Sequence, residues 1–296
     1  MNNRRRSGGG TVYHDEGNSN FCVMMPRLEF TRRKNAVMVS NSLNRLGLDT
    51  QVNDRHDITL ANKKISGSAF KVIKERAYHH GTMLIDSDLK QISGLLTGKD
   101  NIIGRGVGSV KSEVTRLSDY SKTITHDLFS KSLMKEFIKT YQREDSKLIL
   151  DTDNDGEFNL LEFSNSNDIF VKELTMKDFN SSKELNSIYN ELSSFDWIIG
   201  QTPDFIETSE KFDFYWGQLQ FNLVVKEGLI FDFDFKGFEV DPYVQGIEIL
   251  EICEILKGVR YSTSEVQRKI FDSGLEISQE MKEFVNALAN MINFDH

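Results

Sequence analysis

The sequence is poor in the residues that mark several protein classes. Three prolines in 296 residues, Pro26, Pro203 and Pro242, exclude proline-rich linkers. Two cysteines, Cys22 and Cys253, are too few for a disulfide framework or a four-cysteine zinc site, which points to a reducing compartment. No apolar run approaches the ~20 residues that a bilayer-spanning helix needs. Met1 is followed by neither an apolar signal-peptide core nor a long amphipathic presequence. Basic side chains are the minority, 36 against 45 acidic, for a net charge of −9. The imbalance is local. Residues 136–296 hold 14 basic and 32 acidic residues, which argues against a general nucleic-acid binder. Residues 1–135 hold 22 basic and 13 acidic, which fits an anionic ligand or an acidic partner, or two solvated faces that differ in sign. What is present suffices for a core: 39% hydrophobic and 10% aromatic residues, in a length that suits one large domain or one plus a small one.

The pattern reads as α+β. Thr11–Tyr13 and Phe21–Met25 read as short strands around a polar turn at 15–20. Thr31–Leu46 reads as a helix with Val37, Leu43 and Leu46 near one stripe, stopped by Gly47. Asp57–Leu60 and Lys64–Ile73 read as strands joined by a turn at 61–63, and His79–Ile85 as another. Asp86 or Ser87 caps a short helix through Leu96. Leu95–Val114, with Gly98, Gly104, Gly106 and Gly108, reads as a mobile loop. His126–Tyr141 is a helix with Leu133, Phe137, Ile138 and Tyr141 as its core stripe. Ser164–Asn167 is a surface connection. From about Phe205 the reading is an antiparallel meander, Phe212–Trp216, Leu219–Val225 and Leu229–Phe235. In its last strand Phe231, Phe233 and Phe235 form an apolar face and Asp232 and Asp234 an acidic one. Helices near Val244–Leu256, Ser264–Ser273 and Ser278–Met291 follow.

The densest motif is Arg4-Arg5-Arg6-Ser7-Gly8-Gly9-Gly10-Thr11-Val12-Tyr13-His14-Asp15-Glu16-Gly17-Asn18. Three glycines let backbone amides approach an anion closely, and arginines add bidentate donors for a carboxylate or phosphate. The plain alternative is a glycine-rich linker beside a basic run. Further blocks follow in Lys64-Ile65-Ser66-Gly67-Ser68-Ala69-Phe70, His79-His80-Gly81-Thr82-Met83-Leu84 and Ser109-Val110-Lys111-Ser112-Glu113-Val114-Thr115. Weaker ones are Trp197–Pro203 and Phe214–Gly217. In this order and spacing, along nearly the whole chain, the blocks resemble the lipoate–protein ligase A and lipoyltransferase family, whose catalytic domain is related to biotin–protein ligases.

The resemblance implies a biotin/lipoate-ligase-type catalytic domain with mixed sheets flanked by helices over residues 1–203, and a small α+β accessory domain over 204–296. It implies activation of lipoate by ATP to lipoyl-adenylate, then transfer to a lysine of an acceptor lipoyl domain. Lys64 would be the catalytic lysine, bridging carboxylate and α-phosphate as a compact charge. Arg5, Gly10, Thr11, Val12, Tyr13, Lys64, Asp57 and Ser109 would hold ATP or the adenylate. Arg5, Ser7, Gly8, Gly9, His14, Lys64, His79 and Thr82 would hold lipoate, with His80 a packed or functional histidine. Asp57 matches an Arg-Asn-Asp block in which His56 replaces the usual Asn, and its carboxylate would hold Mg²⁺. Residues 95–114 would close over the adenylate and exclude water. The implied partners are the lipoyl domains of 2-oxoacid dehydrogenase E2 subunits and the glycine cleavage H protein, with no nucleic acid and no membrane. Relative to the family the chain lacks roughly 60–70 residues ahead of Met1, a large share of a ~100–200-residue domain, including an Asn-Pro block. An incomplete, less active catalytic domain is therefore expected.

Other readings stay open. A lipoyl- or octanoyltransferase that takes an activated donor shares the same blocks, and an inactive lipoate-binding protein would retain them. Gly104–Ser112 fails as a P-loop because Val110 stands where that motif needs Gly before Lys-Ser. Asp151–Glu162 fits an EF-hand loop at positions 1, 3, 5, 6 and 12, but Lys147–Leu150 before it reads as a strand and no pairing loop exists, so an acidic surface turn is expected. The Asn-, Ser- and Lys-rich usage suggests an AT-rich genome of fungal type, hence the mitochondrial matrix; a bacterial source would imply the cytoplasm.

Overall fold

The computed structural model describes residues 4–91, 101–104, 112–141, 148–150, 169–240 and 246–292. The EF-hand-like stretch, the 164–167 connection, Ser109 and most of the 95–114 loop lie outside the described residues. The chain gathers into two compact units: Arg6–Thr97 with Gly108–Ser182, and Met1–Arg5 with Gly98–Val107 and Lys183–His296. The expected boundary at 203/204 therefore differs from this division, which groups 183–203 with the C-terminal residues.

The first unit holds strands β1 (Asn18–Pro26), β2 (Thr50–Val52), β3 (Ile58–Leu60), β4 (Lys63–Ser66), β5 (Ser68–Val72) and β6 (Arg76–Leu84). Its helices are α1 (Arg32–Asn44) and α2 (His126–Tyr141). One antiparallel sheet runs β1-β6-β5 and another β2-β3-β4. The β3–β4 hairpin turns on Ala61 and Asn62, both left-handed at φ 49 and 64, the pair of positive φ values that a two-residue turn of this hand requires. The expected strand at 64–73 is two strands, because the chain changes sheet at Gly67. Thr11–Tyr13, expected as a strand, is irregular. The helix after residue 86 is capped by Asp88, whose Oδ1 accepts from the amides of Lys90 and Gln91 at 3.0 and 3.3 Å, rather than by Asp86 or Ser87.

Helix α1 is capped by Thr31, whose Oγ1 accepts from the Lys34 amide at 3.1 Å, and ends at Asn44, with Gly47 at φ 82 in the turn that follows. Of the expected stripe Leu43 is buried and Leu46 packs on the core, while Val37 lies one step off; the buried face includes Asn35, Met38, Val39, Ser42 and Leu43. Two of these are polar because they bind α2: Tyr141 OH donates to Asn35 Oδ1 at 2.7 Å, and Ser132 Oγ to the Ser42 carbonyl at 2.7 Å. Phe137, expected in the α2 core stripe, is 36% exposed; Phe129, Ser132 and Glu136 are buried instead. The core joins Phe21, Val23 and Met25 of β1 to Val39 and Leu43 of α1, Ile65 of β4 and Met83 of β6. A parallel pair, β8 (Leu148–Leu150) and β9 (Ile169–Val171), and α3 (Met176–Ser181) complete this unit.

The second unit is built on β10 (Phe205–Thr208), β11 (Phe212–Phe214), β12 (Gly217–Lys226) and β13 (Leu229–Val240), all antiparallel. Strand β7 (Ile102–Gly104), inside the expected loop, pairs antiparallel with β10 at its edge. Helices α4 (Lys183–Leu192), α5 (Phe195–Ile198), α6 (Gly246–Leu256), α7 (Thr263–Asp272) and α8 (Gln279–Ile292) complete it. Trp216, Leu219, Phe221, Leu223 and Val225 meet Ile249, Ile252, Val266, Phe284 and Leu288 in the core. The alternation expected from Phe231 is broken. A register shift at Val224/Val225 turns Ile230 inward at 1% exposure and leaves Phe231 52% exposed under the Lys226 ammonium. Among the described residues no helix is long and apolar enough to cross a membrane.

Candidate active site

Lys64 lies on β4, bridged in parallel to Val114: its amide donates to the Glu113 carbonyl at 2.9 Å and its carbonyl accepts from the Thr115 amide at 3.0 Å. Both sides of the lysine backbone are thereby fixed. Its ammonium sits 2.7 Å from Asp57 Oδ1, with side-chain exposures of 25% and 11%. Asp57 is held in turn by Asn53, whose Oδ1 accepts from the Asp57 amide at 3.0 Å and the Arg55 amide at 2.9 Å. The neighbouring Lys63 pairs with Glu113 at 2.7 Å, on an exposed edge.

Gly67 makes room for the lysine. A Cβ there would lie 3.0 Å from Lys64 Cε and 3.1 Å from its Nζ. Thr82 fixes that glycine, its amide donating to the Gly67 carbonyl at 3.0 Å and its Oγ1 accepting from the Gly67 amide at 3.2 Å. Lys64, Asp57, Gly67 and Thr82 thus form one group: a cation one quarter exposed, its counter-ion, and bare backbone beside both.

The two histidines of β6 point to opposite faces, as alternation requires. His80 shares the open face with Thr82 and meets Ser7, Oγ to Nε2 at 2.5 Å. His79 faces the core at 1% exposure, with neither ring nitrogen hydrogen-bonded. The residue brought to Ser7 is therefore His80, and the period-two pattern Tyr78, His80, Thr82 was the signal for it. Burial, then the neighbouring His80 and His56, lowers the His79 pKa to about 4. The unfolded chain, with a histidine pKa of about 6.5, binds that proton first. Stability should be unaffected above about pH 6.5 and should fall by about 1.4 kcal/mol per unit down to about pH 4, near 3 kcal/mol in all. Urea melts across this range should show that slope flattened in His79→Phe; an unchanged slope would refute it.

The glycine-rich segment divides. Gly9 has φ 101, a conformation that favours glycine, whereas a Cβ on Gly8 would meet nothing within 4 Å. Gly10 is half-buried, and Thr11 and Val12 are exposed. Tyr13 OH donates to Gln91 Oε1 at 2.7 Å, and His14 Nδ1 meets Asn18 Nδ2 at 2.8 Å. The end of the motif is structural: the Gly17 carbonyl accepts from the Ile85 and Asp86 amides, and Asp15 Oδ2 from the Asp88 amide at 2.7 Å. In the second unit, Arg4 donates to the Gln201 carbonyl at 2.5 Å and Thr202 Oγ1 at 3.2 Å, and Trp197 Nε1 to the Arg4 carbonyl at 2.7 Å. The Trp197 block thus holds Arg4, with half-buried Arg5 next to it in the chain.

His56 stands at φ 64, where asparagine is more at ease than most residues. His56→Asn should match or exceed the wild type in stability, and His56→Val should cost about 1–3 kcal/mol. Denaturant midpoints would show it, and an unaffected valine variant would contradict it.

For a divalent cation the described residues offer one carboxylate here, Asp57, and no group of three His, Cys, Asp or Glu side chains. That set suits Mg²⁺ held mainly by substrate phosphates and water, and does not suit an all-protein cage.

Residues 2–138 match the family described as lipoyl protein ligase A/B catalytic domain. Lipoate-protein ligase A of Psychrobacter cryohalolentis is 30% identical over 268 residues, covering 90% of this chain and 72% of that protein. Lipoate-protein ligase A of Bdellovibrio bacteriovorus is 30% identical over 274 residues, again 90% and 72%. Among solved structures, P. falciparum LipL1 in complex with lipoate aligns at a TM-score of 0.48 and 25% identity, covering 98% of this chain and 76% of that one. With relatives matched over more than two thirds of their length, this α+β chain belongs to the lipoate-protein ligase A family of enzymes.

Proposed function

We propose that the chain is an ATP-dependent lipoate–protein ligase. A lipoate carboxylate oxygen attacks the α-phosphorus of ATP, pyrophosphate leaves, and lipoyl-adenylate forms. An acceptor lysine amine then attacks the acyl carbon, AMP departs, and the amine loses its proton. The observation that carries this reading is the Lys64 ammonium held 2.7 Å from Asp57 beside the bare backbone of Gly67. Such a charge, fixed before the reaction, offsets negative charge on the carboxylate and α-phosphate as it grows in each step. Asp57 keeps the ammonium oriented. Asp57 would also contribute one oxygen to a Mg²⁺ that neutralises phosphate charge. Ser7, Gly8, Gly9, His14 and Thr82 are proposed for the acyl side, with His80, which meets Ser7, in place of the core-facing His79. Arg5, Gly10, Thr11, Val12, Tyr13 and Ser109 are proposed for the nucleotide. The proposed acceptors are lipoyl domains of 2-oxoacid dehydrogenases and the glycine cleavage H protein.

The test is lipoate-dependent exchange of labelled pyrophosphate into ATP. Exchange with lipoate and none without it supports activation. Transfer from supplied lipoyl-adenylate without exchange would instead make the protein a transferase.

A further inference from the structure

We infer that the basic, apolar end of the β1-β6-β5 sheet docks an acidic protein domain, the acceptor of the acyl group; this rests on the ligase reading above. Two segments meet there. Pro26 pairs with Arg76 and Met24 with Tyr78, and the Arg27 amide donates to the Glu75 carbonyl at 2.9 Å. Phe30 and Arg32 pack on Phe70, at 5.5 Å between rings and 4.5 Å from guanidinium to ring. Together residues 24–34 and 70–78 carry seven basic and two acidic side chains, in a chain whose net charge is −9.

Arg32 and Lys34 lie over the rings of Phe70 and Tyr141, but the other five cations are not spent internally. Among the described residues Arg27, Arg33, Lys71, Lys74 and Arg76 are exposed and make no ion pair, unlike Lys63, Lys64, Arg45, Arg116 and Lys131, which do. Large apolar side chains stand among them: Leu28 is 99% exposed, Met24 78% and Ile73 53%. Unpaired charge of one sign around apolar anchors suits a protein partner of opposite sign, the charges giving register and on-rate and the anchors contact area.

Position favours the acceptor over other polyanions. The strand face that leaves the patch at Tyr78 continues through His80 to Thr82, which fixes Gly67 beside Lys64. At ~3.3 Å per residue Tyr78 and Thr82 are about 13 Å apart, a span that a domain docked at one end crosses with a protruding lysine. A bilayer or nucleic acid would draw no benefit from that continuity.

The experiment uses the full chain and an apo lipoyl domain with an acidic surface. Arg33→Glu/Lys71→Glu/Lys74→Glu should raise the Kd and the KM for that domain at least tenfold and flatten their salt dependence. Lipoate-dependent pyrophosphate exchange should stay unchanged. Arg33 lies in the first turn of α1, where glutamate suits the helix. Glutamine at the three positions, with a smaller shift in the same direction, is the second variant should the first fold poorly. An unchanged Kd in both variants overturns the proposal. So does binding of the patch to phosphatidylserine vesicles with no change in acceptor Kd. Absence of exchange in the wild type would sink the ligase reading, while the Kd measurement still decides the docking claim.

Discussion

Lys64→Ala is expected to lower lipoyl transfer by about 10²–10³, the usual loss for removing one fixed charge-stabilising group. It should also lower stability. The Asp57 carboxylate, 11% exposed, loses the ammonium 2.7 Å away. Breaking a fully buried pair costs about 3–5 kcal/mol, and with a quarter of the lysine side chain in solvent the figure here is about 1–3 kcal/mol. From sequence alone the position is a strand edge facing a ligand, where the loss would leave folding untouched; the pairing with Asp57 changes that expectation. The two effects separate in Lys64→Ala/Asp57→Asn. The neutral amide removes the stranded charge, so stability recovers while activity does not. Lys64→Arg should fold well and transfer poorly, because a planar fork replaces a point charge. Transfer near the wild-type rate in the alanine variant would remove Lys64 from the chemistry.

Gly17→Ala is expected to cost about 3 kcal/mol or more, although the added group is one methyl. Its Cβ would stand 2.4 Å from the carbonyl carbon and oxygen of Asp86 and from the Ser87 amide nitrogen. All three are backbone atoms, so no rotamer change relieves the clash. The displacement would break the two amide bonds that the Gly17 carbonyl accepts from Ile85 and Asp86. For a unit of this size the melting temperature should drop by about 6–12 °C. Gly8→Ala, in the same motif with nothing within 4 Å of its added Cβ, should melt like the wild type. Equal melting temperatures for all three proteins would contradict this reading of the motif.

The contrast between Gly8 and Gly17 shows how far the sequence could be read. The motif blocks were legible because side-chain chemistry is written in residue type: a lysine before Ser-Gly-Ser, a carboxylate seven residues earlier. Regular elements with strong signals were legible too. His126–Tyr141 has the expected limits, and the three last helices lie within a few residues of theirs. What stayed hidden depends on partners distant in the chain. Of the expected α1 stripe Leu43 is buried and Leu46 packs on the core, but Val37 lies off it, because Asn35 and Ser42 are buried by Tyr141 and Ser132, about a hundred residues away, and a hydrophobic pattern cannot see a polar contact. Phe231 faces solvent against its alternation because a bulge shifts register without any mark in composition. Strand β7 carries no strand signal of its own, since its three residues become a strand only beside Phe205–Thr208. His80 rather than His79 meets Ser7 because alternation along β6 sets the face, and a doubled histidine reads the same either way until the strand's register is known.

The proposed activity is the joining of lipoate to a protein lysine at the expense of ATP, through Lys64. The direct test is the intact mass of an apo lipoyl domain after incubation with the protein, lipoate, ATP and Mg²⁺. The expected result is a gain of one lipoyl group on a single lysine, dependent on ATP, and absent over the same time with Lys64→Ala. A mass gain that persists without ATP, or that the alanine variant produces equally fast, would contradict the claim.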